Sequence, residues 1–345
     1  MFKNMRMGLK MTIGFGVVII LVAVVGGIAI LNMLQIQTQS NSLKNEYIPE
    51  VDIANNIERN ALQVMYNMRG YSLTFGQNYY ELGQTFMTEL NKYLDQAEQL
   101  SNEYKGLVQL GKDVADAKKY VSDYTSLADE TNEVINSIKE QRTILDSSAA
   151  QYMQQASNFL ESQNRQFQQD IANNAAPTAL AERMRKINLI NDAIDLANEA
   201  RILNFKAQAD FDYGVIEEAL GELDKIPEIA VELNELTRLQ ENRQQLQTIA
   251  TTRGQYYNAL EATYKAFQRL GELNELRNVA ADDVLAAAQN TATAGIENTK
   301  ELSTAAVEKV SASVIAIAIG LAIALVLAVA IAIFLTVMIV SALTK

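Results

Sequence analysis

From about residue 240 to residue 340 the sequence contains no proline, and its apolar residues recur at helical spacing. Leu246, Ile249, Leu260, Phe267, Leu270 and Leu273 mark the stripe, followed by Val279, Val284 and Ala287. The stretch continues through an alanine- and threonine-rich segment, 286–306, into 314–340, which carries no charge. Read as one helix, it is roughly 150 Å long. About a quarter of it is bilayer-crossing in character. A rod that runs unbroken from a polar region into an apolar span can transmit a displacement. The rest of the chain has to be built against it.

Composition excludes whole classes of chemistry. Cys, His and Trp are absent. Without His or Cys, most metal sites and most nucleophile–base pairs are gone. There is no glycine-rich phosphate loop and no carboxylate pair in a convincing pocket, so the chain is expected to be neither an enzyme nor a metal or cofactor binder. Proline occurs three times, at Pro49, Pro177 and Pro227, and Gln, Asn, Glu, Ala and Leu dominate. With helical apolar spacing, that mix predicts an all-α protein of long helices.

Two uncharged segments bracket the chain, 13–34 and 313–340, each longer than the roughly 20 residues that cross a bilayer. The first has an apolar region too long for a signal peptide and no clear cleavage site, so it is expected to stay as an anchor. Lys3, Arg6, Lys10 and Lys345 are the charges outside the interval between the spans. All 41 acids and 25 of the 29 bases lie within it, a net charge of −16. The positive-inside rule puts both ends, 1–12 and 341–345, in the cytoplasm and 35–312 outside it. The acidic interval argues against nucleic acid or anionic lipid as a partner.

Between the spans, a stripe runs through Ile53, Ile57, Ala61, Val64, Met68, Ser72 and Phe75 and breaks at Gly76-Gln77-Asn78. A second helix carries Tyr79, Leu82, Phe86, Leu90, Leu94 and Ala97, ending near Tyr104-Lys105-Gly106. A third, about 107–174, is proline-free and long. The turn Asn173-Asn174-Ala175-Ala176-Pro177-Thr178 leads to a fourth helix, about 179–211, with Ile187, Ile190, Ile194, Ala197 and Phe205 on its stripe. A fifth reaches about 236, kinked or broken at Pro227. Lengths repeat as short, short, long, and Glu89-Leu90, Lys92 and Tyr124 recur 133 residues on as Glu222-Leu223, Lys225 and Tyr257. Two stacked four-helix modules that share the two long helices satisfy this order. One takes about 35–140 with 275–312, the other about 141–274.

This arrangement resembles the helical bimodular sensor region of bacterial methyl-accepting chemotaxis proteins. The likeness rests on the paired spans, the repeated helix lengths and phrases such as Arg69-Gly70-Tyr71 before Gly76 and Leu145-Asp146-Ser147-Ser148-Ala149. It implies a sensory region that binds a small metabolite, often a carboxylate and sometimes an amine. It also implies a homodimer in the cell inner membrane with a periplasmic sensor domain. Members continue past the second span into cytoplasmic output segments that engage signalling proteins. This sequence stops at Ser341-Ala342-Leu343-Thr344-Lys345, so it is expected to be the sensory part. Input to a histidine kinase or cyclic-dinucleotide enzyme, or a ligand-free two-span scaffold, are the alternatives.

Charges on an apolar stripe point to a ligand site, because a bundle core is otherwise apolar. The seven-residue series Leu246, Arg253, Leu260, Phe267 places Arg253 in core register. The series Ile187, Ile194, Arg201, Gln208 does the same for Arg201, with Asn204 close by. A buried guanidinium needs an anion from the protein or a ligand, and its planar fork matches a carboxylate. Tyr256, Tyr257 and Tyr264 offer hydroxyls in the same upper module. The competing expectation is an internal ion pair with Asp195, Glu199, Asp210 or Asp224. In the lower module, the weaker candidates are Arg59, Tyr66, Arg69, Tyr71, Tyr124 and Arg277. An amine would look to Asp146, Asp282 or Asp283.

Overall fold

The computed structural model describes residues 6–343, and among these every regular element is helical. Helix α1 spans Met7–Ser42, and a π-helical turn over Leu43–Tyr47 joins it to α2, Ile48–Thr74. Then come α3 (Gln77–Glu103), α4 (Val108–Ala172), α5 (Pro177–Asp210), α6 (Val215–Leu236) and α7 (Gln240–Leu343). The all-α expectation holds, including the uninterrupted 104-residue α7. Lys3, Lys345 and the outer ends of segments 1–12 and 341–345 lie outside the described residues.

Proline explains three local features. Pro177 is the first residue of α5, where its missing N–H costs nothing. Pro49 sits just past the π turn. In an α-helix its ring would meet the carbonyl of Asn45, four residues back. The wider turn avoids this, and the Ile48 N–H donates to the Leu43 carbonyl, five residues back. Pro227 is expected to kink or break its helix; the helix is not broken, and α6 continues through it. Its cost falls on one atom, the carbonyl oxygen of Leu223, which loses its helical donor.

Buried positions on α4 alternate by four and three residues: Leu110, Val114, Ala117, Val121, Tyr124, Ala128, Thr131, Ile135 and Ile138. The series resumes at Leu145, Ala149, Tyr152, Ala156 and Phe159. A strict seven-residue repeat makes a narrow knobs-into-holes seam rather than a broad apolar face. This narrowness corrects part of the expected core. Leu82, Phe205 and Val279 were placed on stripes but are 47%, 59% and 62% exposed, because each lies beside a seam. Arg201 is corrected for the same reason. The seam of α5 runs through Ala193, Ala197, Ala200, Asn204 and Ala207, so Arg201 flanks it half-buried.

Packing divides the chain into two compact units. The first takes the chain up to Gln63, Thr85–Val121 and the chain from Asp282 onward. The second takes Val64–Gln84 and Ser122–Ala281. Helices α4 and α7 therefore each contribute to both.

In the first unit, α1 and α7 are the two described helices long and apolar enough to cross a membrane. Their apolar side chains point outward, with Ile19, Ile20, Leu325 and Val326 at 65–67% exposed. Such a surface is a liability in water and suits lipid. The two helices also meet directly, since Asn32 Nδ2 donates to Ser313 Oγ at 2.8 Å. In the second unit, α5 and α6 form a hairpin packed along its own length. The tip of the α2–α3 hairpin belongs here too. There the Tyr71 hydroxyl donates to Asn132 Oδ1 at 2.7 Å, and the Phe75 ring stacks on Phe267 at 6.3 Å.

Candidate functional site

The seam of α7 carries Leu270, Asn274, Arg277 and Ala281 at successive positions, so Arg277 must point into the second unit. It is 3% exposed. Its Nη1 donates to Thr131 Oγ1 at 2.7 Å and its Nη2 to Ser72 Oγ at 2.8 Å; Nη2 also reaches Asn274 Oδ1. All three partners are neutral. Burial pulls the guanidinium below its ordinary pKa, yet an arginine stays charged at neutral pH. Among the described residues, the buried positive charge therefore has hydrogen bonds but no counter-ion.

Beside Arg277 lies a pocket of about 460 Å³. Arg69 on α2, Tyr124 on α4 and Asn278 on α7 share its wall, and among the described residues no acidic side chain lines it. Arg69 is exposed and its Nη2 donates to Asn278 Oδ1 at 3.2 Å. Burial raises the pKa of the Tyr124 hydroxyl, while Arg277 and Arg69 pull it back down. Two guanidiniums and a phenol thus converge on one cavity of metabolite size.

Phe211, Tyr213 and Phe267 give the wall an aromatic side, and backbone strain delivers part of it. Phe75 and Phe211 both adopt left-handed backbone conformations, with φ 56°. A non-glycine residue there costs about 1–2 kcal/mol. Phe211 ends α5 and lines the pocket. Tyr213, two residues on, stacks on Phe267 with ring centroids 3.8 Å apart. Gly70 permits another close approach, because a Cβ there would lie 2.6 Å from Tyr79 Cδ1.

The structure brings together three of the six weaker candidates, Arg69, Tyr124 and Arg277. The other three stand apart. Arg59 is in the first unit, exposed and hydrogen-bonded to Asn56. Tyr66 is 66% exposed, and Tyr71 is a packed core residue bonded to Asn132. Sequence reasoning missed Thr131, Ser72, Asn274, Asn278, Phe211 and Tyr213 as site residues. The four–three alternation of α7 would have flagged Asn274 and Arg277 as adjacent polar seam positions. Nothing local points to Phe211 or Tyr213.

The six upper candidates are split. Arg201, Asn204 and Tyr256 line a groove of about 520 Å³ with Arg142, Asp146 and Gln208. Here Asn204 Nδ2 faces the Tyr256 hydroxyl at 3.5 Å, and Arg142 Nη2 donates to Gln208 Oε1 at 2.6 Å. The α4 seam lapses at this point, where its next position holds the exposed Arg142. Asp146 gives this groove a negative charge of its own. Arg253 lies on the seam as expected, but its guanidinium is taken. It donates to the Leu223 carbonyl and to Asp224 Oδ1, the latter at 2.9 Å, and covers the Tyr257 ring at 4.7 Å. A cavity of about 20 Å³ separates it from Arg201, room for a water and not for a metabolite. The Tyr264 hydroxyl donates to Glu217 Oε1 at 2.8 Å at the surface. Among the described residues no cluster of acids could hold a metal ion.

The sequence profile of a four-helix-bundle sensory module for signal transduction matches residues 4–176, half of the chain. The chain belongs to that family. The match runs from α1 through α4 and so includes the first apolar helix, Arg69 and Tyr124. No curated protein matches the chain. Membership makes it a sensory region for signal transduction, of the chemoreceptor type.

Proposed function

We propose that this sensory module binds a small carboxylate between Arg277, Arg69 and Tyr124, and that it serves a chemotaxis receptor. The buried, counter-ion-free Arg277 carries this reading. A desolvated guanidinium is costly alone, and a ligand carboxylate supplies the missing charge. The pocket draws on α2, α4 and α7, so occupancy favours one arrangement of these helices over another. Helix α7 then runs on toward the second apolar span. A shift of about 1–2 Å is enough for helix-based signalling. Its extent is bounded by the ligand's differential affinity for the two arrangements.

The wider reading follows from charge and spans. The receptor is a two-span protein of the inner membrane, with the interval 35–312 periplasmic and organised as two helical modules. It works as a homodimer and passes its signal to cytoplasmic proteins. The outward apolar faces of α1 and α7 and the net charge of −16 between the spans support that placement.

The test uses the full chain in lipid nanodiscs, melted against C2–C6 mono- and dicarboxylates, amino acids and polyamines. A ligand at 100 times its Kd adds about 2.7 kcal/mol, which a melting curve reads easily. A carboxylate shift abolished by Arg277→Met and reduced by Arg69→Ala is expected. Abolition by Arg201→Ala instead would move the site to the Arg142–Arg201 groove. A response confined to polyamines would sink the carboxylate reading. No response to any compound would favour the scaffold alternative.

A further inference from the structure

The first unit buries two carboxyl groups that the carboxylate site does not use. Glu50, in the first turn of α2, is 1% exposed, and Asp113 on α4 is 6% exposed. Asp113 is held on both oxygens. Gln109 Nε2 donates to Oδ1 at 2.7 Å and Thr291 Oγ1 donates to Oδ2 at 3.0 Å. Glu50 Oε2 is buried with no hydrogen-bond partner. Opposite it on α7, one turn past Thr291, is Gly295. A Cβ there would lie 3.1 Å from Oε2 and 2.7 Å from Val51 Cγ2. The missing side chain of Gly295 is thus the notch that Glu50 occupies.

The surroundings favour a neutral Glu50. Burial first, then the nearby Asp113 charge, push its carboxyl up to about 7. Among the described residues, Asp113 is the charge that acts on Glu50, and Glu50 in turn acts on Tyr47 together with Glu46 and Glu301. Glu46 and Tyr47 precede Glu50, and Glu301 of α7 acts on Tyr47. Asp113 and Gln109 come from α4, Thr291 and Gly295 from α7, and Tyr104, next to Glu103, closes the end of α3 near Glu46. Among the described residues neither Glu50 nor Asp113 forms a salt bridge.

We propose that Glu50, seated in the Gly295 notch beside Asp113, is a proton-binding site that lets this sensory region respond to pH. With a proton, Glu50 fits an apolar notch next to one ionised carboxylate. Without it, two like charges face each other out of water, which is strongly unfavourable. Ionised Glu50 reaches solvent only by leaving the notch, which loosens the start of α2 from α7. The π turn Leu43–Tyr47 just before it is the local irregularity that takes up the movement. This proposal stands independently of the carboxylate site.

The folded-state carboxyl binds its proton more tightly than the unfolded chain does. Stability is therefore fully present at acid pH and is lost as pH rises through about 7. The experiment melts the full chain in nanodiscs from pH 5 to 9. It also follows the distance between spin labels on cysteines placed at exposed Ile48 and Ile296, in a chain with no cysteine of its own. Melting temperature is expected to fall from acid pH and level off above about 7, while the label distance changes with its midpoint near neutrality. Glu50→Gln is expected to remove both transitions while keeping the acid-side distance. Asp113→Asn is expected to move both changes to lower pH, because loss of the Asp113 charge lets Glu50 ionise more easily. Flat wild-type profiles, or a Glu50→Gln variant that titrates like wild type, overturn the proposal. Should Glu50→Gln fail to fold, an Asp113→Asn midpoint that stays put overturns it equally.

Discussion

Arg253 donates to the carbonyl oxygen of Leu223 from Nε at 3.1 Å and from Nη2 at 2.7 Å. That oxygen is the acceptor Pro227 leaves without a helical donor, four residues before the proline. A cation in core register thus repairs a backbone defect on the neighbouring helix. Removing it leaves a half-buried carbonyl without its donor and Asp224 without its ion pair. Arg253→Ala should cost about 1–3 kcal/mol. In a Pro227→Ala background, where residue 227 regains its N–H, the cost should fall by about 1 kcal/mol. Melting curves for the four chains measure this coupling. Equal losses in both backgrounds would refute the link between the two residues.

Arg277 should show the opposite balance of stability and function. Without ligand, its buried charge has no counter-ion, and replacement by an apolar residue of similar volume is commonly neutral or stabilising by about 1–4 kcal/mol. Arg277→Met should therefore melt no lower than wild type without ligand, and should lose any carboxylate-induced rise. A variant that melts lower and still responds to carboxylate would assign Arg277 a purely structural part.

Gly70 is a test of packing against propensity. Alanine is favoured over glycine in a helix by about 1 kcal/mol. A Cβ at Gly70, however, would stand 2.6 Å from Tyr79 Cδ1 and 2.7 Å from Cε1. Overpacking of this kind typically costs about 1–3 kcal/mol. Gly70→Ala should lower the melting temperature, and adding Tyr79→Ala should recover part of the loss. A rise on Gly70→Ala alone would show that the ring swings away freely.

Phe211 holds a left-handed conformation while its ring is 59% exposed. Phe211→Gly should relieve backbone strain of about 1 kcal/mol or more with little lost burial. The melting temperature without ligand should hold or rise. The carboxylate shift should shrink, because the pocket loses an aromatic wall. An unchanged ligand response would confine the ring to a packing part.

Sequence alone determined the helices of this protein and their ends. Helix formation depends on near neighbours: apolar spacing, the rarity of proline and glycine, and turn residues such as Asn174 and Pro177. It also determined that Arg253 faces a neighbouring helix, since a seven-residue series fixes which way a side chain points. Which stripe position becomes the seam was decided by tertiary packing. A one-residue offset moved Arg201 to the seam's flank and put Asn204 and Ala200 inside. Partners were decided there too. Leu223 meets Arg253 where α6 packs on α7, and Ser72 and Thr131 meet Arg277 where α2 and α4 pack on it; no local rule encodes those heights. The same holds for Glu50 and Gly295, which lie 245 positions apart in sequence. A missing Cβ on one helix made room for a carboxyl on another. Spacing along a chain sets which face a residue occupies, while the charge, burial and partner it meets there depend on the helix that packs against it.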